Sequence, residues 1–442
     1  MTRYWCEWAW LGGTTATASV LIEVSGDRFD SIAAGVPCPP DATRLEGLTL
    51  PGFANAHSHA FHRALRGRTQ VGEGSFWTWR DQMYGVVGRL DPDTYYELAA
   101  AVYGEMVLAG ITCVGEFHYL HHATGGARYA DPNAMSEALI AAAHTAGIRI
   151  TLLDTLYLHG GIGVEPNDVQ RRFSDGSASA WVERVDQLGA PHHALLGAAV
   201  HSVRAVDPES MDVVRQWAGS RDAVVHAHVS EQPAENEQCQ AAYGCTPTAL
   251  LHERGLADHR FTAVHATHLT EGDFSLLGAG RCTVCMCPTT ERDLADGIGP
   301  TAQLVAAGAG LSLGSDSHAV IDMFEEARAV ELDERLASLR RGTHRASSLL
   351  EAATVRGHAS LGWDTAGVIQ PGGLADLVTV SLGSVRTAGA SGASMLETAV
   401  FAASAADVTH VVVGGRVVVA EGRHRSFDVG AALGAAIAAV VS

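Results

Sequence analysis

Short apolar segments alternate with helical patterns through the middle of the chain, from about residue 50 to residue 320. Strands that alternate with helices in this way are typical of βα units around a parallel sheet. The strand segments number eight: PGFANAHSH, ITCVGEFHY, IRITLLDTLY, LLGAAVHSV, AVVHAHVSE, FTAVHATHL, RCTVCMC and GLSLGSDSH. We therefore predict an α/β fold built on a distorted and enlarged (β/α)8 TIM barrel.

The intervening segments carry the signals that begin and end helices. A helix is predicted from Pro92 to Ala109, because Asp91 can cap its start and Pro92 suits the first turn. Gly110 follows the last predicted helical residue and can end the helix. The glutamates and arginines of a later helix predict a solvated face: Glu325, Glu326, Arg328, Glu331, Glu334 and Arg335.

The two ends of the chain have a different texture, with short β-rich stretches among aromatic, glycine and proline residues. Near the C-terminus, ADVTHVVVGGRVVVAEGR predicts two strands joined by a Gly-Gly hairpin. We expect residues 1–49 and 370–442 to pair into a small β-sandwich domain, and residues 50–369 to form the barrel domain.

Composition and charge narrow the class of protein. Of the 442 residues, 47% are apolar and 18% are charged, which indicates a folded globular protein. The net charge of −19 argues against nucleic acid and anionic membranes as partners. The N-terminus has no extended apolar segment and the small-residue stretch near the C-terminus is too short to span a bilayer, so we expect a cytoplasmic protein.

The cysteines are irregularly spaced along the chain. We expect them, Cys282, Cys285 and Cys287 among them, to be buried thiols.

No lysine occurs anywhere in the chain, so every basic side chain apart from histidine is an arginine. This absence excludes a pyridoxal Schiff base, a Walker-type phosphate loop and a carbamylated-lysine dimetal site.

Polar side chains gather where the predicted strands end, which is where barrel active sites lie. His57 and His59 are two residues apart, so their imidazoles share one side of the strand and can share one metal ion. Later strand ends supply His226, His228, Glu231, His265, His268 and Asp316. Two histidines from the first strand, one from the fifth and the aspartate from the eighth form a set suited to Zn²⁺ with an open position for water. Fe²⁺ would accept the same ligands. His118, His121 and His122 in EFHYLHH are expected to lie near the site or at the surface, and not to be ligands.

These motifs resemble the amidohydrolase superfamily in its mononuclear deaminase branch, and most closely its formimidoylglutamate deiminase family. The resemblance covers nearly the whole chain and rests on LPGFANAHSHAFHRAL, SFWTWRDQMY, EFHYLHH, HSVRAV, HVSEQ, VHATH, CPTTERDLADGIGP and GSDSH. SFWTWRDQMY and EFHYLHH are its most specific stretches.

The resemblance implies hydrolysis of N-formimino-L-glutamate to N-formyl-L-glutamate and ammonia, a step of histidine degradation, by a homodimer. It implies one zinc per subunit, with His57, His59, His228 and Asp316 as ligands. It makes His265 a catalytic histidine and Glu231 a proton shuttle, and it assigns substrate binding to Arg80, Tyr119, His201 and Arg204. His62 stands where better-known members have Gln; its imidazole could replace the amide beside the substrate and would be expected to titrate near pH 6.5.

Elementary chemistry agrees with these roles, because zinc supplies hydroxide at neutral pH and two arginines offer forked donors to a dicarboxylate. Asp316 could orient that hydroxide as well as bind the metal. Two alternatives remain. A deaminase of a heterocyclic base such as guanine would share the metal set but would not need Arg80 and Arg204. A non-catalytic zinc-binding barrel would need neither Glu231 nor His265.

Overall fold

The structure is a computed structural model that describes residues 1–70 and 76–441, without the side chains of residues 76–78, 80 and 81. Its strands are β1 Thr2–Ala9, β2 Thr17–Ser25, β3 Arg28–Ala33, β4 Thr43–Pro51, β5 Phe53–Ser58, β6 Ile111–His118, β7 Arg149–Leu156, β8 Ala194–Val200, β9 Val225–Val229, β10 Phe261–His265, β11 Thr283–Met286, β12 Gly310–Leu313, β13 Leu377–Val380, β14 Val408–Val413, β15 Arg416–Ala420 and β16 Arg423–His424. Its helices are α1 Phe76–Val87, α2 Pro92–Leu108, α3 Ala134–Ala146, α4 Ala178–Val185, α5 Pro208–Arg221, α6 Pro233–Tyr243, α7 Pro247–Glu253, α8 Glu271–Ala279, α9 Pro288–Asp293, α10 Thr301–Ala307, α11 Met323–Ser338, α12 Ala346–Ala353, α13 Val355–Ser360, α14 Met395–Phe401 and α15 Val429–Val441.

Strands β5 to β12 form the predicted barrel, as one parallel sheet in chain order. The ring closes where β12 meets β5: Asp316 N donates to His57 O at 3.0 Å, and His59 N donates to Asp316 O at 3.3 Å. Only glycine fits beside this seam, since a Cβ on Gly314 would lie 2.7 Å from the Cβ of His57. The barrel of the sequence prediction is thereby confirmed.

Helix α2 shows why the local sequence signals succeed. Asp91 accepts a hydrogen bond from Thr94 N at 2.8 Å, and Asp91 N donates to Thr94 Oγ1 at 2.9 Å. This reciprocal cap satisfies backbone donors that a helix start leaves open. The helix ends at Leu108, one residue before the predicted end, and Gly110 follows with φ +89°.

The terminal segments form a second sheet of eight strands in the order β16, β15, β14, β13, β4, β1, β2, β3. Neighbouring strands are antiparallel except β1 and β4, and the β4–β13 pair joins the N-terminal to the C-terminal segment. Gly414 and Gly415 have φ +55° and +72°, the conformation that a two-residue hairpin turn requires. The domain limits given above remain a prediction.

The barrel and the second sheet are joined by a buried ion pair. Arg149, at the start of β7, donates from Nε to Asp376 Oδ2 at 2.9 Å. Asp376 Oδ1 also accepts from Gly414 N at 2.7 Å, so this carboxylate holds both the barrel and the hairpin turn. Helix α15 returns from the second sheet to pack against α2. Within the described ranges, no helix has the length and apolar content needed to span a bilayer.

The prediction of a solvated face on α11 is wrong for three of its glutamates, because Glu326, Glu331 and Glu334 are buried. Glu326 accepts from Thr289 Oγ1 at 2.5 Å and from Thr289 N at 3.1 Å. Glu331 accepts backbone N–H groups of the loop that follows α11. Charge pattern alone could not indicate these donors, since they come from other segments of the chain. The thiols of Cys282, Cys285 and Cys287 are buried and unbridged, as predicted.

Candidate active site

The ends of four barrel strands, β5, β9, β10 and β12, bring imidazole and carboxylate groups together. Four non-glycine residues at or within three residues of these ends have left-handed backbone: Ser230 with φ +51°, His265 with φ +66°, Ala266 with φ +49° and Asp316 with φ +42°. Such conformations cost free energy and persist where the surrounding structure holds them. The backbone at these strand ends is therefore locally strained, and the surrounding structure holds it in place.

Four side chains, His57, His59, His228 and Asp316, form what we call the ligand cluster. Asp316 Oδ1 lies 3.3 Å from His57 Nε2 and 3.4 Å from His59 Nε2. The Nε2 atoms of His57 and His228 are 3.2 Å apart. All four residues are buried. Potential ligand atoms of His57, His59 and Asp316 lie within 4.8 Å of one another, and so do those of His57, His228 and His265.

The protonation of the ligand cluster fits a divalent metal. The Nδ1 atoms of His59 and His228 hydrogen-bond to the backbone carbonyls of Phe117 and His201, at 3.0 and 2.9 Å. A carbonyl only accepts, so Nδ1 carries the proton and the Nε2 lone pair faces the cluster.

Electrostatics agree with this assignment. Burial lowers the pKa of His57, His59 and His228, which keeps them neutral. Burial opposes the charge of Asp316, yet the hydrogen bond from His57 holds its pKa well below the usual range. Three neutral imidazoles and one carboxylate are a zinc-binding set.

His265 and Glu231 lie beside the ligand cluster and are not members of it. His265 Nε2 is 3.8 Å from both Glu231 Oε1 and Asp316 Oδ2. Burial disfavours a charged imidazole here, but the charge of Glu231 and a hydrogen bond to Glu291 raise the pKa of His265 well above its usual value. Glu231 Oε2 is 3.9 Å from Arg204 Nη2. A line of polar groups thus runs from the ligand cluster to Arg204.

A cavity of about 730 Å³ opens beside the ligand cluster. It brings together most of the residues that the sequence singled out: His59, His62, Tyr119, His201, Arg204, His228, Glu231, His265 and Asp316. Helix α1 contributes Trp79, Met83 and Tyr84 to the wall. Arg80 belongs to the same helix, and its side chain lies outside the described residues.

His62 lies in a 3-10 turn over Ala60–Leu65, directly after β5. Its Nε2 is 3.2 Å from Tyr119 Oη, on the cavity wall. Burial lowers the pKa of His62 to about 4, so the expected titration near pH 6.5 is wrong. The imidazole remains neutral at physiological pH and can both donate and accept one hydrogen bond, as an amide can.

Several candidate histidines point elsewhere. His226 donates from Nε2 to Ser360 O at 2.8 Å, and His268 donates from Nε2 to Asp296 O at 2.8 Å. Neither residue lines the cavity.

His118 and His121 are buried beside Asp154, so the surface position considered for EFHYLHH is wrong. The Asp154 carboxylate is bonded by Arg184 at 2.7 and 2.9 Å and by Trp181 at 2.8 Å. That carboxylate therefore holds an arginine, which disfavours a cation at the same place.

Sequence reasoning missed three buried carboxylates that support the site. Glu116 accepts from Ser58 Oγ at 2.6 Å and from Ala60 N at 2.7 Å, and so holds the turn that carries His59. Burial raises the pKa of Glu116 to about 7. Glu235 Oε2 lies 3.4 Å from Arg204 Nε. Glu291 bonds to His265 Nδ1 at 3.3 Å. The charged residue inside the apolar segment ITCVGEFHY was the sequence signal that could have identified Glu116.

The amidohydrolase family model matches residues 48–418, which is most of the chain and the whole barrel. The chain belongs to the amidohydrolase family. The formimidoylglutamate deiminase of Pseudomonas aeruginosa is 40% identical to it over 418 residues, covering 90% of this chain and 92% of that protein. A crystal structure of an amidohydrolase from Brucella melitensis superposes with a TM-score of 0.91 and 32% identity over the full length of both chains. An adenosine deaminase from Xanthomonas campestris, crystallised with bound zinc, shares the fold with a TM-score of 0.84 and 24% identity over 99% of this chain and 97% of its own.

Family and geometry agree on the class of chemistry. As an amidohydrolase, this protein is a hydrolase of carbon–nitrogen bonds. Its buried imidazoles and carboxylate fit the divalent metal that the family uses.

Proposed function

We propose that this amidohydrolase hydrolyses N-formimino-L-glutamate to N-formyl-L-glutamate and ammonia. The observation that carries the proposal is the position of Arg204, whose guanidinium lines the same cavity as the ligand cluster. An arginine beside a hydrolytic centre suits an acyclic substrate with carboxylates better than it suits a neutral purine. The 40% identity to a formimidoylglutamate deiminase supports the same choice.

We further propose that one Zn²⁺ per subunit is held by His57, His59, His228 and Asp316, a set that Fe²⁺ would also accept. When bound, zinc lowers the pKa of a coordinated water to about 7 and so supplies hydroxide at neutral pH. The overall reaction joins the water oxygen to the formimino carbon and breaks the bond from that carbon to the terminal nitrogen, which leaves as ammonia.

Three side chains act on the protons and charges of this reaction. Glu231 is the proton shuttle: its carboxylate accepts a proton from the attacking water and passes it to the departing nitrogen. Its place between His265 and Arg204 keeps it at the edge of the ligand cluster without making it a ligand. His265 Nε2 stabilises the charge that develops at the tetrahedral carbon's substituents. Asp316 Oδ2, 3.8 Å from His265 Nε2, orients the attacking oxygen.

Substrate binding is assigned to Arg80, Tyr119, His201, Arg204 and His62. Arg204 offers a forked pair of donors to one substrate carboxylate, and Glu235 holds its Nε side. The Tyr119 hydroxyl and the His62 imidazole form a hydrogen-bonding pair on the same wall of the cavity. Arg80, on α1, would supply the second positive charge for a dicarboxylate.

The active form is proposed to be a cytoplasmic homodimer. Its barrel domain is assigned to residues 50–369 and its small β domain to residues 1–49 and 370–442.

An ammonia-release assay on metal-loaded protein tests the function, with N-formimino-L-glutamate, N-formiminoglycine and guanine as substrates. We expect turnover of N-formimino-L-glutamate to exceed that of N-formiminoglycine, which lacks the second carboxylate. Turnover of guanine alone would refute the proposal in favour of a heterocyclic base deaminase. Metal-loaded protein that released no ammonia from any of the three would favour a non-catalytic zinc-binding barrel.

A further inference from the structure

The stretch CPTTERDLADGIGP is one of the motifs that resemble the family, yet none of its residues has a role in the proposed reaction. It forms α9 and the loop after it, which follow the seventh barrel strand, β11. Glu291 on α9 is only 4% exposed. Its Oε1 lies 3.3 Å from His265 Nδ1 and also accepts from Cys287 N at 2.9 Å. A buried carboxylate thus contacts the far side of the proposed catalytic imidazole.

This contact decides which nitrogen of His265 faces the reaction. An ionised carboxylate accepts hydrogen bonds and cannot donate them, so His265 Nδ1 carries a proton and donates it to Glu291. Nε2 is then the ring atom that lies 3.8 Å from both Glu231 and Asp316. His265 also has a left-handed backbone, with φ +66°, a strained conformation that persists because the surrounding structure holds it.

We propose that Glu291 is a positioning residue that acts through His265. Its carboxylate accepts a hydrogen bond from His265 Nδ1 and fixes the plane of the imidazole, so that Nε2 points at the substrate carbon. Cys287 N–H, bonded to the same oxygen, fixes the carboxylate in turn. This role rests on the proposed function, because it assumes that His265 stabilises the reacting centre.

Three variants separate this role from simple support of α9. Glu291→Leu removes the acceptor. Glu291→Gln keeps an oxygen acceptor, and Cys287 N–H selects the amide oxygen for that position, because an amide NH2 group cannot accept a hydrogen bond. Glu326→Gln is the matched control: Glu326 is buried and holds the same short helix through Thr289, but it does not contact His265. Burial raises the pKa of Glu326 well above its usual value, so Gln resembles its neutral form.

We expect Glu291→Leu to lower kcat by roughly 10- to 100-fold, the range seen when a group that orients a metal-site histidine is lost. KM should stay within about threefold and the metal content should not change, because Glu291 touches neither the substrate nor the ligand cluster. Glu291→Gln should recover most of kcat, and Glu326→Gln should match the wild type. Should Glu291→Leu fail to fold, Glu291→Ser, whose hydroxyl is too short to reach His265, takes its place.

A second measurement does not depend on turnover. Proton NMR of the zinc-loaded protein should show a downfield Nδ1–H resonance of His265, assigned by its absence in His265→Gln. We expect this resonance in the wild type and in Glu326→Gln, and its loss or a large upfield shift in Glu291→Leu. An unchanged resonance in Glu291→Leu, or an equal fall of kcat in Glu326→Gln, would overturn the proposal. If the wild type released no ammonia from N-formimino-L-glutamate, the proposed function would fail, while the NMR comparison would still decide the role of Glu291.

Discussion

Replacing Glu231 by Gln is the most direct test of the proposed proton path. Gln has nearly the same shape, and among the described residues the Glu231 side chain makes long polar contacts, at 3.8 Å to His265 and 3.9 Å to Arg204. Within the part of the chain that the structure describes, Glu231 also belongs to none of the groups of atoms that could hold a metal ion. The substitution should therefore remove a proton acceptor while leaving the fold and the metal in place.

The expected loss follows from what the carboxylate does. Proton transfer by a positioned side chain contributes about 10² to 10⁴ to the rate, so kcat should fall by at least about 100-fold. That factor corresponds to a rise of about 2.7 kcal/mol in the activation free energy. KM should change little, because substrate binding is assigned to Arg204 and its neighbours, and the substitution leaves Glu235, whose Oε2 lies 3.4 Å from Arg204 Nε, in place.

The assay compares kcat and KM for ammonia release from N-formimino-L-glutamate with the metal content per chain. Equal metal content together with a large fall in kcat supports the shuttle. A variant with kcat within about threefold of the wild type would refute the role of Glu231, since no other carboxylate is assigned the proton transfer. Loss of metal would instead show that Glu231 belongs to the ligand cluster.

Further expectations concern binding, metal content and stability. Arg204→Met should weaken the binding of N-formimino-L-glutamate by about 2 to 5 kcal/mol, read as a rise in KM from initial rates, and a rise in KM of less than about tenfold would contradict its carboxylate role. Elemental analysis should find one metal ion per chain, and two ions that are both needed for activity would be inconsistent with the ligand cluster. His62→Gln should keep the metal and most of the activity; because the pKa of His62 is lowered to about 4, its imidazole is already neutral at pH 6, and the variant should show the wild-type pH dependence of KM between about pH 6 and 7. A change of that profile would show that His62 titrates there after all. Asp376→Asn should lower the free energy of unfolding by about 3 to 5 kcal/mol in chemical denaturation, since it leaves the buried Arg149 without its charge partner. A loss below about 1 kcal/mol would indicate that Arg149 finds another partner or water.

The barrel and most of the site could be predicted because both depend on short-range patterns. A strand fixes alternate side chains on one face, so the spacing of His57 and His59 already placed both imidazoles together. Parallel strands end at one rim, so Asp316 and His228 had to meet them there. The capping signals around Asp91 act within one helical turn and could be placed to within one residue.

What could not be predicted depends on partners that are distant in the sequence. Glu326 can be buried because Thr289 on α9 donates hydrogen bonds to its carboxylate. The charge pattern of α11 does not reveal this donor. The low pKa of His62 follows from burial that only the assembled cavity wall provides. The contact between Glu291 and His265 joins residues from two different βα units, and nothing in the sequence indicates that these two residues are partners.

The seam between β5 and β12 has a consequence for the order in which the protein opens. The two strands are the first and the last of the barrel, and His57 and His59 face Asp316 across the seam. An ion held by the proposed ligands would therefore link the two ends of the ring, and its binding free energy would add to the stability of the closed form alone. Chelation should raise the local opening rate at this seam before it affects the interior of the sheet. In hydrogen exchange, the amides of β5 and β12 should lose protection first, while β7 and β8, paired on both sides, should keep theirs until global unfolding.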